Sequence, residues 1–202
     1  MANILYLVHR LPYPPNKGDK VRSYHLLKHL TRLHRVFLGT FIDDPEDEAH
    51  VATVRTLCAD LQVTRLHPRR ARVASLNALL AGDPLTLRYY RSPAMSDWVN
   101  QLCRANHIDA AVIFSSAMAQ YVEDFQRLPT LIDFVDVDSA KWTQYAPRHH
   151  WPLSWLYRRE GRLLLDYERR MAARSTRSYF VTENEAALFC QQAPECRVRV
   201  EA

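Results

Sequence analysis

Three short stretches of this sequence combine residue types that can bind or move charge. The first is Asp133-Phe-Val-Asp-Val-Asp-Ser-Ala-Lys-Trp142, where Asp136, Asp138 and Lys141 crowd together just after a run of β-forming residues. Two carboxylates beside an ammonium can hold a polyol, orient a hydroxyl or take its proton. Strand alternation turns neighbouring side chains to opposite faces, so Asp133, Asp136 and Asp138 are not expected to share one pocket. The second stretch, Pro12-Tyr-Pro-Pro-Asn-Lys-Gly-Asp-Lys20, stiffens an extended turn and then offers Gly18, whose bare backbone lets amides face outward, with Lys17, Lys20 and Arg22 nearby. Such a helix start suits an anion; an ordinary turn with Asp19 as its N-cap is the alternative. The loop has neither the G-x-G-x-x-G nor the P-loop spacing. The third, Ser115-Ser116-Ala-Met-Ala-Gln120, brings two hydroxyls to a helix start, where they could meet a sugar hydroxyl or a phosphate. N-capping by Ser115 or Ser116 explains the same pattern without a ligand.

The elements that must position these loops alternate between strand and helix, the signature of a parallel sheet covered by helices. Strands are predicted at Ile4–Val8, Val36–Ile42, near Gln62–Leu66, at Ile108–Phe114, Thr130–Val135, Ser178–Val181 and Arg197–Val200. Helices are predicted over Lys20–Leu33, after the cap Asp44-Pro45, around Val73–Leu80, after Ser92-Pro93, near Met118–Phe125 and over Leu153–Arg174. A final helix should follow Thr182-Glu-Asn-Glu185, which has capping-box spacing. In an open parallel sheet, ligands bind at the carboxyl ends of the strands. All three loops fall there. With no repeat, low-complexity tract or Gly/Ser linker, residues 1–202 read as one doubly wound, mostly parallel, Rossmann-like α/β domain. The sequence stops inside a predicted strand, as expected of a domain cut from a longer protein.

Composition narrows the classes. The apolar run Ile4–Val8 is shorter than the roughly 7–15 residues of a signal-peptide core and the roughly 20 of a membrane span, so a cytoplasmic protein is expected. Cys58, Cys103, Cys190 and Cys196 form no C-x-x-C pair, which predicts reduced thiols, no structural disulfide and no zinc site. The net charge of +5, from 27 Lys and Arg against 22 Asp and Glu, favours an anionic partner. Sugar diphosphate, anionic lipid and nucleic acid all satisfy it, and nucleic acid ranks last because basic residues are spread among acidic ones. The segment Arg148-His-His-Trp-Pro-Leu-Ser-Trp-Leu-Tyr-Arg-Arg-Glu-Gly-Arg162 mixes arginine with tryptophan. It suits the surface of an anionic membrane, or else a helix with core aromatics and solvated arginines. Glu160, Asp166 and Glu168 interleave with Arg158, Arg162, Arg169 and Arg170 at spacings that permit i,i+4 pairs.

Taken together, His9-Arg-Leu-Pro-Tyr-Pro-Pro-Asn-Lys-Gly-Asp-Lys-Val-Arg-Ser-Tyr24, Phe114-Ser-Ser-Ala-Met-Ala-Gln-Tyr121 and Asp133 to Trp142 resemble the sugar transferases associated with exosortase and exopolysaccharide gene clusters, within glycosyltransferase family 4. Tyr167-Glu-Arg-Arg-Met-Ala-Ala173 and Val181-Thr-Glu-Asn-Glu-Ala186 fit the same group, so the resemblance spans nearly all of the chain. It implies the N-terminal half of a GT-B fold, in which two Rossmann-like domains face a cleft. The C-terminal domain would hold most of the nucleotide-sugar donor and the N-terminal domain the acceptor, a glycan or lipid-linked intermediate near the inner membrane. Transfer would retain anomeric configuration without a metal or other cofactor. The donor diphosphate would approach Gly18, Lys17 and Asp19, and Arg22 would help its charge. The donor-binding domain and its Asn-Gly linker are absent from this sequence, so the fragment alone is expected to be inactive. Many relatives of this kind have a histidine after the fourth strand; here Ser115 and Ser116 stand in its place, and Asp136 and Asp138 are the substitutes by position. A stand-alone anion-binding or regulatory domain is the alternative reading.

Overall fold

The computed structural model describes residues 1–75, 78–105 and 108–202. Seven parallel strands form one sheet in the order β3-β2-β1-β4-β5-β6-β7. They are β1 (Asn3–Val8), β2 (Arg35–Ile42), β3 (Asp60–Arg65), β4 (Ala110–Phe114), β5 (Thr130–Val135), β6 (Arg177–Phe180) and β7 (Val200–Glu201). The inner strands are apolar along their length because both faces are covered, as parallel sheets require. Leu5, Tyr6 and Leu7 of β1 are completely buried. On one face, Leu27 of α1 (Gly18–Leu33) and Val54 of α2 (Val51–Arg55) pack with Ile4, Tyr6 and Leu38. The other face carries α6 (Pro93–Ala105), α8 (Leu153–Arg174) and α9 (Glu183–Gln192), through Met95, Val99, Leu164, Met171 and Phe189. Short helices α3 (Pro68–Ser75), α4 (Ala78–Ala81) and α5 (Leu85–Tyr89) lie between β3 and α6, and α7 (Asp138–Tyr145) follows β5.

The sequence signals that hold do so through their predicted chemistry. Asp44 accepts from the Glu46 amide at 3.2 Å, and Ser92 Oγ accepts from the Met95 amide at 3.3 Å. Several elements differ: α5 and α7 are helices that the sequence pattern does not predict, and the element after Asp44-Pro45 opens as a 3₁₀ turn. Met118–Phe125 was expected to be α-helical, yet Ser116–Tyr121 is a 3₁₀ turn closed by Met118 N to Ser115 O and Val122 N to Ala119 O, each 3.1 Å. Its side chains Ala117, Met118, Ala119 and Tyr121 are all buried, so packing on every side holds the tighter turn. The last strand shrinks to Val200–Glu201, because Pro194 opens a 3₁₀ turn that buries Cys196 completely. The helix expected around Val73–Leu80 is α3 and α4 on either side of residues 76–77, which lie outside the described residues.

Candidate functional site at the carboxyl edge of the sheet

Register brings the site together. Val8 pairs with Phe114, and Phe114 with Asp133, so β1, β4 and β5 end level with one another and deliver His9, Ser115 and the Asp136 loop side by side. The strand order reverses between β1 and β4, each followed in space by a helix or turn start, which is the crevice where open parallel sheets bind ligands.

Both loop entries are strained. Ser115 has φ +80° and Val135 has φ +70°. A β-branched residue is a poor occupant of that region, and such conformations cost of order 1–3 kcal/mol each. The neighbours hold them: Ser115 N donates to Asp133 O at 2.8 Å, and Val135 N donates to Asp133 Oδ1 at 3.1 Å beside a bulge in the β5–β6 pairing. Two residues further on, Val137 N donates to Glu185 Oε2 at 2.7 Å. Glu185 was expected to close a capping box with Thr182. Thr182 Oγ1 does accept from the Glu185 amide at 3.2 Å, but the Glu185 carboxylate reaches across to fix the site loop.

The loop delivers Asp136, Asp138 and Lys141 as one cluster. Lys141 Nζ lies 2.7 Å from Asp136 Oδ2 and 3.1 Å from Asp138 Oδ1. Burial raises the Asp138 pKa, while Lys141 and His9 oppose the shift. Beneath the cluster, Ser139 Oγ donates to Glu168 Oε2 at 2.5 Å. Gly161 permits this approach of α7 and α8, since a Cβ there would run into Thr143 and stand 3.0 Å from Ser139 O. Glu168 is fully buried, and its Oε1 has no hydrogen-bond partner among the described residues. Burial pushes its pKa up to about 8, which makes it a neutral acid at neutral pH.

On the β1 side, the His9 ring stacks on Phe114, with centroids 5.9 Å apart and planes 3° from parallel. His9 Nε2 stands 3.6 Å from Asp19 Oδ2, and His9 Nδ1 is buried with no partner among the described residues. Arg10 grips Asp43 with two bonds, of 3.1 and 2.8 Å, and reaches Asp19 at 3.1 Å. His9, followed by Arg10, holds the Asp19 carboxyl well below the usual range despite partial burial. Asp19 is therefore not the N-cap of α1; that position is Lys17, whose side chain makes no capping bond. The neighbouring Gly18 is exposed, and a Cβ built on it would meet nothing within 4 Å, so the open space before α1 is not filled by the protein.

The remaining predicted residues take different places, the two serines at the edge itself. Lys17 is exposed, 3.9 Å from Asp44. Arg22 Nε pairs with the buried Asp133 at 2.6 Å on the α1 face, away from the Asp138 cluster. Ser115 makes no capping bond with its side chain, and Ser116 Oγ is buried and unpartnered among the described residues. Neither serine is a simple cap. Lys20 lies buried against Asp47, at 2.6 and 2.8 Å, as a tie between α1 and the turn at Pro45–His50. Sequence reasoning missed His9, Arg10 and Glu168 as members of the site. Glu168 carried a usable signal, because the helical period puts Glu160, Leu164 and Glu168 on one face with apolar Met171. The spacing permits i,i+4 pairs of both carboxylates with arginines; instead Glu160 is buried and accepts from Leu85 N, Thr86 N and Thr86 Oγ1, at 2.7, 2.9 and 2.8 Å.

No described helix is long and apolar enough to cross a membrane. The four cysteines are free thiols, and the described residues contain no cluster of three or more His, Cys, Asp or Glu able to hold a metal ion. Neither a known family profile nor a curated protein sequence matches the chain. Among solved structures it is similar to LpCGTa in complex with UDP, with 12% identity and a TM-score of 0.47 over 95% of this chain and 49% of that one. It is also similar to Phytolacca americana UGT2 complexed with UDP-2fluoro-glucose and pterostilbene, with 9% identity and a TM-score of 0.49 over 99% of this chain and 53% of that one. The chain spans about half the length of each of these structures.

Proposed function

We propose that this chain is the acceptor-side domain of a retaining, metal-independent glycosyltransferase of GT-B architecture, resembling family 4 enzymes of exopolysaccharide assembly. The observation that carries the reading is the convergence at one sheet edge of two strained loop entries, a carboxylate–lysine cluster, and two buried polar atoms, His9 Nδ1 and Ser116 Oγ, that the described protein leaves unpartnered. Buried polar atoms are normally satisfied. Among the described residues Thr64 on β3 and Tyr167 on α8 also carry orphans, but His9 Nδ1 and Ser116 Oγ stand together at the switch point of a parallel sheet and mark a place for a polar ligand.

In this reading a second domain following residue 202 holds a nucleotide-sugar, and the cleft between the domains closes over the edge described above. The open backbone before Gly18 lets the donor diphosphate approach the amides at the start of α1. Fixed dipoles and cations there stabilise the charge that develops as the diphosphate departs. Asp138, with Asp136, accepts a hydrogen bond from the acceptor hydroxyl, a glycan or lipid-linked sugar, while Lys141 holds both carboxylates in place. Glu185 and Glu168 position that cluster from behind without touching substrate. The acceptor follows the resemblance rather than the geometry, because hydroxyl recognition by carboxylates is common to many sugars.

The full-length protein, incubated with nucleotide-sugars and a membrane extract, is expected to transfer the sugar with its anomeric configuration kept, read by proton NMR of the product. Inverted product contradicts the retaining mechanism. A tight complex of residues 1–202 alone with an anionic ligand, together with no transfer by the longer protein, replaces this reading with a binding domain.

A further inference from the structure

α7 begins in the candidate site at Asp138 and ends at Tyr145, where a different kind of surface starts. Tyr145, Trp151, Leu153 and Trp155 are 47, 81, 45 and 50% exposed, and they supply four of the described chain's large exposed hydrophobics within eleven residues. Every residue from 147 to 153 is exposed. Isolated exposed apolar residues need no explanation, but a contiguous group of this kind marks an interaction surface.

Its charge is equally uneven. From Tyr145 to Arg162 the sequence has four cations, Arg148, Arg158, Arg159 and Arg162, against the single carboxylate of Glu160. That surplus of three compares with a net +5 for the whole chain. Glu160 is fully buried and committed to α5, so it does not offset the surface charge. Arg158 and Arg162 lie on the same stripe of α8 as Trp155, at i+3 and i+7, and Arg158 bonds only weakly to the neutral Ser154 hydroxyl, at 3.4 Å. Trp155, Arg158, Arg159 and Arg162 line a shallow hollow of about 320 Å³. Arg159 is anchored there by bonds to Ala78 O at 2.9 Å and Asp83 O at 3.2 Å.

We propose that this corner docks on an anionic lipid bilayer, with Trp151, Leu153 and Trp155 entering the headgroup region and Arg148, Arg158 and Arg162 meeting lipid phosphates. Tryptophan with an aliphatic neighbour suits the bilayer interface, and the arginine stripe complements its negative surface potential. An oligonucleotide would use the arginines and stack on the indoles, but it has no use for an exposed leucine between them. The eight residues of α7 span roughly 12 Å, and the exposed segment follows from its Tyr145 end, which connects the docking corner to the Asp138 end. The surface thereby deepens the acceptor side of the reading above, by placing the site next to a lipid-linked acceptor, yet its test needs no sugar transfer.

The test is co-sedimentation of residues 1–202 with vesicles of phosphatidylcholine alone or mixed with phosphatidylglycerol, with melting temperature checked for every variant. Binding is expected only to the mixed vesicles. It should fall roughly fivefold for each of Arg148, Arg158 and Arg162 changed to Ala, and about tenfold or more in the double variant W151A/W155A. Equal sedimentation with both vesicle types, or full binding by W151A/W155A, overturns the proposal. So does tighter binding to a single-stranded oligonucleotide that depends on the same two tryptophans. Vesicle binding by a protein that transfers no sugar keeps this surface and removes the glycosyltransferase reading instead.

Discussion

Buried polar groups are handled in two ways in this protein. On the α1 face Lys20 and Asp47, 1 and 3% exposed, answer each other with two short bonds, and Glu160 on the far face satisfies two amides and a hydroxyl. Each of these groups is complete within the fold. At the carboxyl edge, by contrast, His9 Nδ1, Ser116 Oγ and Glu168 Oε1 are buried without partners among the described residues, and two non-glycine residues sit at positive φ. Completed polar groups tie elements together; incomplete ones near a strand edge are kept at a cost in stability, which points to a ligand or a reaction.

The contrast is broken most sharply at Lys20. Changing Lys20 to Met leaves Asp47 buried without its cation, which should cost about 3–5 kcal/mol. Urea denaturation that shows less than about 1 kcal/mol of loss places this pair with ordinary surface pairs and removes the distinction.

A smaller effect is expected at Glu168, and its sign follows from the direction of its shift. The folded-state pKa of about 8 lies above the ordinary 4.5, so the folded protein holds a proton that the unfolded chain releases between those values. The stability associated with this group is present in full below about pH 4.5 and is lost as pH rises through about 8. The difference in unfolding free energy between wild type and Glu168→Gln should therefore move in favour of the variant across that window. Parallel curves would show that Glu168 is not a neutral acid in the fold, and the orphan at Oε1 would need another account.

Much of the fold was legible because periodicity is a local property. Leu153–Arg174 is helical over the residues its apolar spacing marks, and Thr130–Val135 is a strand over the run of β-forming residues. Errors arose where a distant partner decides local structure. The Ser116–Tyr121 turn is tightened by burial on all sides, and Arg197–Val200 is bent by the anchoring of Cys196, neither of which any window of sequence displays. The site was legible in part for the same reason. Asp136, Asp138 and Lys141 are close in sequence and meet in space, whereas Arg10 meets Asp43 across 33 positions and Glu168 meets Ser139 across 29. The tryptophans of the basic segment were equally ambiguous, because an apolar residue on a helix is core or surface only once its neighbours are placed. Trp151 and Trp155 lie at the surface, so the core-aromatic alternative fails for them.

The central claim, that the incomplete edge does the chemistry, is tested most directly at Asp138 in the full-length protein, by nucleotide-sugar-dependent transfer measured beside thermal unfolding. Asp138→Asn keeps the shape and removes the charge. Loss of turnover on the order of 100-fold with an unchanged or slightly raised melting temperature is the predicted result. Turnover equal to wild type would contradict the account and take the Asp136–Asp138–Lys141 cluster out of the reaction.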